Sequence, residues 1–221
     1  MPEIIETTIY QLHELSDAAK EKARAWLREG GFDQDWYDAV YADFEQICAI
    51  LGVALKTDTV RLMDGRSRQE GCIYFRGFWS QGDGACFEGR YAHAPRVSAK
   101  IREHAPDDAT LHQIADALQA IQRRNFCQLR ADVGHRGHYY HARCMAIDVE
   151  RESPTGQDMT HGAESIVTEA LRDLARWLYR QLEQEYEYQT ADETVDEAIT
   201  ANAYTFTDVG RRPGQIGRAH V

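Results

Sequence analysis

No apolar run in this 221-residue chain approaches the 18 or so residues that a membrane-spanning helix needs. The opening Met1-Pro-Glu-Ile-Ile-Glu lacks the basic-then-apolar order of a secretory leader, so a cytoplasmic protein of a bacterial-type cell, with no membrane partner, is expected. Paired cysteines are missing as well. The five present (Cys48, Cys72, Cys86, Cys127, Cys144) are odd in number and include no C-x-x-C, which argues against a disulfide framework or zinc ribbon and for reduced thiols. There is no G-x-S-x-G elbow, Walker loop, H-E-x-x-H pair or dinucleotide fingerprint. No cofactor is therefore called for, and no reaction can be named from motifs. Internal repeats, low-complexity tracts and linkers rich in Pro, Gly or Ser are absent too, so residues 1–213 read as a single domain.

Charge is in surplus but unevenly spread. The net charge is −11. Residues 1–89 hold 9 Lys+Arg against 16 Asp+Glu, residues 90–143 hold 9 against 5, and residues 144–221 hold 7 against 15. The basic middle third also carries six of the nine histidines, making it the part suited to meet an anion. The overall sign disfavours bulk nucleic-acid binding, which rests on neutralising phosphates.

Periodicity predicts strands and helices in alternation. A weak strand at 4–11 precedes a helix at 16–29 that Gly30 and Gly31 stop. A second helix buries Trp36, Val40, Phe44, Ile47 and Leu51. A short strand at 53–58 and a polar loop at 60–70 follow. Two hairpins are expected, at about 72–91 around Gly82-Asp83-Gly84 and at 127–150 around Arg136-Gly137. Helices are expected at 96–105, 108–125, 163–185 and 192–203, before a terminal strand near Phe206. The pattern points to an α+β fold, an antiparallel or mixed sheet built from two hairpins and packed with about six helices. The last residues, 214–221, resemble read-through of a sequencing adaptor and are expected to be a non-native tail.

The densest concentration of aromatic, glycine and uncharged polar residues is 75–89, Phe75-Arg-Gly-Phe-Trp-Ser-Gln-Gly-Asp-Gly-Ala-Cys-Phe-Glu-Gly. As a strand, 73–79 would place Phe75 and Trp79 on one face and Tyr74, Arg76 and Phe78 on the other. Gly77 within it suggests a bulge or a close approach. In the second hairpin, a two-residue turn would set His135 opposite His138, Val133 opposite Tyr140, Ala131 opposite Ala142 and Leu129 opposite Cys144. The other face would then carry Gln128, Arg130, Asp132, Tyr139, His141 and Arg143. The same alternation argues against a metal held by His135, His138, His141 and Cys144, since His141 would point away from His138 and Cys144 would lie about 20 Å from it.

Candidate contact residues are Arg76, Phe78, Trp79, Ser80, Gln81, Asp83, Arg123, Arg124, Tyr139 and His141. Asp83, Asp132 and His141 are the weak candidates for acid–base work, because a carboxylate that orients an imidazole is the usual unit of such chemistry. Tyr74, Phe78 and Trp79 would stack on a planar ring while Arg123 and Arg124 met phosphates.

The Phe75 to Phe87 string, Gln122-Arg-Arg-Asn-Phe and His135-Arg-Gly-His-Tyr-Tyr-His with Cys144-Met145 together resemble a family of uncharacterised phage and prophage proteins, often labelled as antitoxins of a toxin–antitoxin stability system. The resemblance covers 5–212 and implies a cytoplasmic accessory protein without catalytic residues to carry over. Three uses follow in order. The first is binding a host or phage protein, through acidic helices that include Glu183, Glu185, Glu187 and the 192–197 segment, to neutralise a toxin or immune component. The second is sequestering or hydrolysing a nucleotide-derived signal. The third is contact with nucleic acid through the Arg/His-rich middle third.

Overall fold

The computed structural model describes residues 7–31, 35–61 and 65–213. They fall into two compact units, 38–183 and the two ends of the chain, 1–37 with 184–221. Among the described residues there are six α-helices and eight strands, all strand pairs being antiparallel, so the fold is α+β. None of the described helices is long and apolar enough to cross a membrane. The tail at 214–221 and positions 4–6 of the first expected strand lie outside the described residues.

In the terminal unit, α1 (Asp17–Trp26) starts at Ser16, whose carbonyl accepts the Ala19 and Lys20 amides while its side chain makes no capping bond. The helix gives way to a wider turn at Leu27–Gly31, earlier than its amphipathic pattern suggests. It packs Leu12, Leu15, Ala19, Ala23 and Leu27 against Val195 and Ile199 of α6 (Asp192–Ala201) and against Phe206. The two terminal strands shrink to one bridge, with Tyr10 and Phe206 exchanging amide bonds of 2.7 and 2.9 Å. Arg24 and Arg28 of this unit hold Asp192 and Asp196, so part of the acidic 192–197 segment is already neutralised from within.

In the central unit, α2 (Asp38–Leu51) buries Phe44, Ile47, Cys48 and Leu51 and ends at Gly52, where φ is +87° and a Cβ would stand 2.2 Å from the Ala92 carbonyl. Six strands follow: β1 (Val53–Leu55), β2 (Thr57–Arg61), β3 (Ser67–Gly71), β4 (Ile73–Arg76), β5 (Gly84–Phe87) and β6 (Gly89–Ala92). After α3 (Val97–His104) and α4 (Ala109–Arg124) come β7 (Leu129–His135), β8 (Met145–Arg151) and α5 (Ala163–Thr190), whose residues to Glu183 belong to this unit.

Of the 60–70 segment, expected as a loop, residues 60–61 and 67–70 belong instead to the β2–β3 hairpin, paired from Thr57 with Gly71 to Arg61 with Ser67, while 62–64 lie outside the described residues. Its residues in β2 are all exposed and its cross-strand contacts are polar, such as Gln69 Nε2 to Thr59 Oγ1 at 2.7 Å. With no buried face there is no hydrophobic alternation to see.

The six strands are three long ones, each of which changes partner midway. β1 pairs β6, β2 pairs β3 and β4 pairs β5. At the crossover the amides form a ring: Lys56 N–H donates to the Glu88 carbonyl at 2.9 Å, Glu88 N–H to Cys72 at 2.9 Å, and Cys72 N–H to Lys56 at 2.7 Å. β6 continues into the four-stranded sheet β1-β6-β7-β8.

β7 alternates as its sequence predicts, with Leu129, Ala131 and Val133 buried and Arg130 and Asp132 exposed. On the buried side Gln122 of α4 binds the Tyr91 hydroxyl (3.1 Å) and both backbone groups of Leu129 (2.8 and 3.2 Å), satisfying its amide without water. Phe44, Phe87 and Trp177 continue this core, with ring centroids 5.5 and 6.5 Å apart. Asp108 caps α4 through the Leu111 amide (2.8 Å) and takes the Trp177 indole N–H (2.6 Å) with its other oxygen, fastening α4 to α5.

The second hairpin is built differently from its expected form. β7 and β8 pair with His135 opposite Met145, Val133 opposite Ile147, Ala131 opposite Val149 and Leu129 opposite Arg151. The connection is a loop, 136–144, closed by Arg136 N–H to the Cys144 carbonyl at 2.9 Å, and not a two-residue turn.

Candidate functional site

The glycines of the 75–89 string are there because other groups come too close for a side chain. The β4–β5 pairing ends at Arg76 opposite Gly84, so 77–83 is a loop, and the alternation expected through Trp79 stops at Arg76. A Cβ on Gly77 (φ +49°) would stand 3.0 Å from Asp83 Oδ1. One on Gly82 (φ +90°) would stand 2.5 Å from the Tyr139 ring, and one on Gly84 would stand 2.5 Å from His141 Cβ. The glycine motif of the first hairpin is thus the seat for the 136–144 loop of the second. Asp83 folds its own turn, Oδ2 accepting the Ser80 amide at 2.7 Å.

The loop is anchored at several points. His135 Nε2 meets the Tyr139 carbonyl at 3.0 Å, and Tyr140 stacks on Tyr74 (5.3 Å) and lies 5.0 Å from the His135 ring. Tyr139 and His141 lie parallel, 8° apart with centroids at 6.1 Å. His141 Nε2 contacts Cys144 Sγ at 3.7 Å, while its Nδ1 is buried with no hydrogen-bond partner among the described residues.

Together with α5 these two segments enclose a cleft of about 510 Å³, lined by 81–85, by Tyr139, His141, Ala142 and Arg143, and by Ala175, Arg176, Tyr179 and Arg180. Tyr179 donates its hydroxyl to the Gly77 carbonyl at 3.3 Å and packs on Phe78 at 5.5 Å. Burial, and then the negative charge of Asp83, push its phenol up. Arg176 is held by Glu169 (2.7 Å) and Asp173 (2.5 Å), and the Glu169 bond, opposed by partial burial, raises its affinity for the proton. Arg143 and Arg180 have no acidic partner among the described residues.

Of the residues expected from sequence, Gln81, Asp83, Tyr139 and His141 line the cleft. Phe78 and Trp79 extend from its Tyr179 wall: Phe78 is half-buried against Tyr179, and Trp79, 5.7 Å from Phe78, is 68% exposed with φ +69°. Ser80 contributes its backbone amide to Asp83 and does not line the cleft. Arg76 is exposed at the end of β4, and Arg123 and Arg124 are exposed at the end of α4; none of the three lines the cleft. Tyr74 faces Tyr140 instead. Of the weak acid–base candidates, Asp83 and His141 line the cleft and Asp132 does not: it lies on the open sheet face in an ion pair with Arg90 at 2.9 Å.

Sequence reasoning missed Arg143, Arg176, Tyr179 and Arg180. For Arg176 and Arg180 the signal was their four-residue spacing with Arg172, which puts the three on one face of α5. A second hollow of about 580 Å³ lies on the open sheet face, where Lys56 is paired with Glu88 and Arg90 with Asp132. Arg136 and Asp148 also line it, so its cations and anions balance, whereas in the α5 cleft Arg143, Arg176 and Arg180 face the single carboxylate of Asp83.

No curated protein and no solved structure matches the chain. The model of one family, described as a domain of unknown function (DUF8835), matches residues 36–192, which include every residue lining the α5 cleft. The chain belongs to the DUF8835 family.

Proposed function

We propose that the protein binds a small phosphate-bearing organic anion in the α5 cleft and holds it without reacting with it. The observation that carries this reading is the presence of Arg143 and Arg180 on the cleft wall with no acidic partner among the described residues, facing a volume of about 510 Å³. A guanidinium in a partly enclosed site gains most from a multivalent oxyanion, which it meets with two parallel N–H bonds. The parallel Tyr139–His141 pair, with Tyr139 49% exposed, offers a flat wall for a ring. A nucleotide-derived signal combines both features.

Holding is favoured over hydrolysis by the state of His141. Its Nδ1 is shielded and its Nε2 engages Cys144, so neither nitrogen is set to exchange a proton with a bound molecule. Sequestration of such a signal is also one way in which an accessory protein of the phage type that the motifs resemble would neutralise a host defence. Purified protein mixed with nucleoside mono-, di- and triphosphates and cyclic dinucleotides should show a thermal shift with at least one, which mass spectrometry then recovers intact. A shift accompanied by a changed mass would overturn the holding role, and no shift with any member of the panel would overturn the cleft as a binding site.

A further inference from the structure

The cleft has an acidic side as well as a basic one. Asp83 lines it, half-buried, and spends only one of its acceptor sites on the Ser80 amide at 2.7 Å. The described ion pairs give it no cation. Its charge is felt across the cleft, since after burial it is the largest cause of the upward shift at Tyr179. A ligand that fills the cleft strips water from this carboxylate, and an ionised group left dry and unpaired is costly. A bare polyanion would make matters worse by adding like charge. Only a molecule that brings a hydroxyl or amino hydrogen to Asp83 can meet Arg143 and Arg180 without that penalty.

Resting on the cleft reading above, we infer that Asp83 selects the ligand: the cleft takes a phosphate ester that carries a hydrogen-bond donor away from its phosphate, the chemistry of a nucleoside monophosphate, and rejects simple polyanions. The carboxylate is a specificity-determining group at this site. Its backbone role in the turn needs only an acceptor oxygen, which asparagine also supplies.

Calorimetric titration of the wild type and Asp83→Asn with adenosine 5′-monophosphate and with inorganic pyrophosphate tests this. The wild type should prefer the nucleotide; in Asp83→Asn the nucleotide should weaken roughly tenfold while pyrophosphate tightens several-fold. Opposite signs support the inference, and changes in the same direction, or none, overturn it while leaving the cleft reading intact. If the wild type binds neither probe, this inference is overturned, and the cleft reading stands or falls separately on the nucleotide panel above. Should the variant not fold, the wild type alone decides: purine riboside 5′-monophosphate, which lacks the amino group and adds no other donor, or the 2′,3′-dideoxy nucleotide, which lacks the sugar hydroxyls, should bind roughly tenfold less tightly than the parent. Equal affinity for all three would overturn the inference.

Discussion

The ring of Tyr139 rests on the backbone of Gly82: a methyl group on Gly82 would stand 2.5 Å from Cδ1 and 2.7 Å from Cε1. Gly82→Ala must therefore displace Tyr139 as well as strain a residue at φ +90°. The variant should lose about 2 kcal/mol or more in chemical denaturation. Gly134→Ala, at a position with open space around it, is the control and should change stability by no more than about 0.5 kcal/mol. Equal effects of the two substitutions would show that the Tyr139 contact adds nothing.

Arg180→Gln should weaken binding of the nucleotide found in the thermal-shift panel roughly tenfold, as expected for loss of a charge-assisted bond. Arg124→Gln, exposed at the end of α4 and outside the cleft, should leave it unchanged. The reverse ranking would move the anion site to α4.

Glu88 gives the central unit a specific acid sensitivity. Its carboxyl accepts Lys56 Nζ at 2.7 Å and the His135 amide at 3.1 Å, and the Lys56 bond holds its pKa below the ordinary glutamate range. The folded state thus binds this proton less readily than the unfolded chain. The associated stability is present above the unfolded glutamate pKa of about 4.3 and is lost as pH falls through the lower folded value. Melting temperatures taken from pH 6 downwards should fall more steeply for the wild type than for Glu88→Gln below about pH 4.5. Asp116 and Asp196, also depressed by arginine partners, contribute to both curves alike. Parallel curves would rule out a role for Glu88.

In the terminal unit Arg212 sits among three rings, 5.1 Å from Trp26, 4.8 Å from Tyr204 and 5.8 Å from Phe206, and donates to the Thr205 carbonyl at 2.9 Å. Arg212→Ala should lower the protection of α1 amides in hydrogen exchange by about 1–2 kcal/mol, and Arg212→Lys should restore part of it. An unchanged exchange pattern would mean that the cage is ornamental to stability.

What could be read from the sequence was whatever a buried face imposes. Leu129, Ala131 and Val133 alternate because one side of β7 is core, and Phe44, Ile47 and Leu51 recur because one side of α2 is. The β2–β3 hairpin escaped notice because neither of its faces is buried in β2. The register of β7 with β8 was misread because Tyr139, Tyr140 and His141 look like strand continuation; they are instead held by Gly82, Tyr74 and Gly84, which are remote in sequence. Half of the cleft was legible for a related reason. Gln81, Asp83, Tyr139 and His141 stand out by local composition, whereas Arg143, Arg176 and Arg180 acquire meaning only when α5 is laid beside the two segments.

The ring of amide bonds joining Lys56, Cys72 and Glu88 acts like the hub of an indexed mechanism. Each of the three long strands is committed to one neighbour on one side of the hub and to another beyond it, so none can slide by a residue without breaking both pairings. The position of the Gly82–Gly84 turn is therefore set by the lengths counted from this hub. An inserted residue between Cys72 and Arg76 would carry the turn out from under Tyr139, whereas lengthening the connection between Arg61 and Ser67 would leave that count untouched.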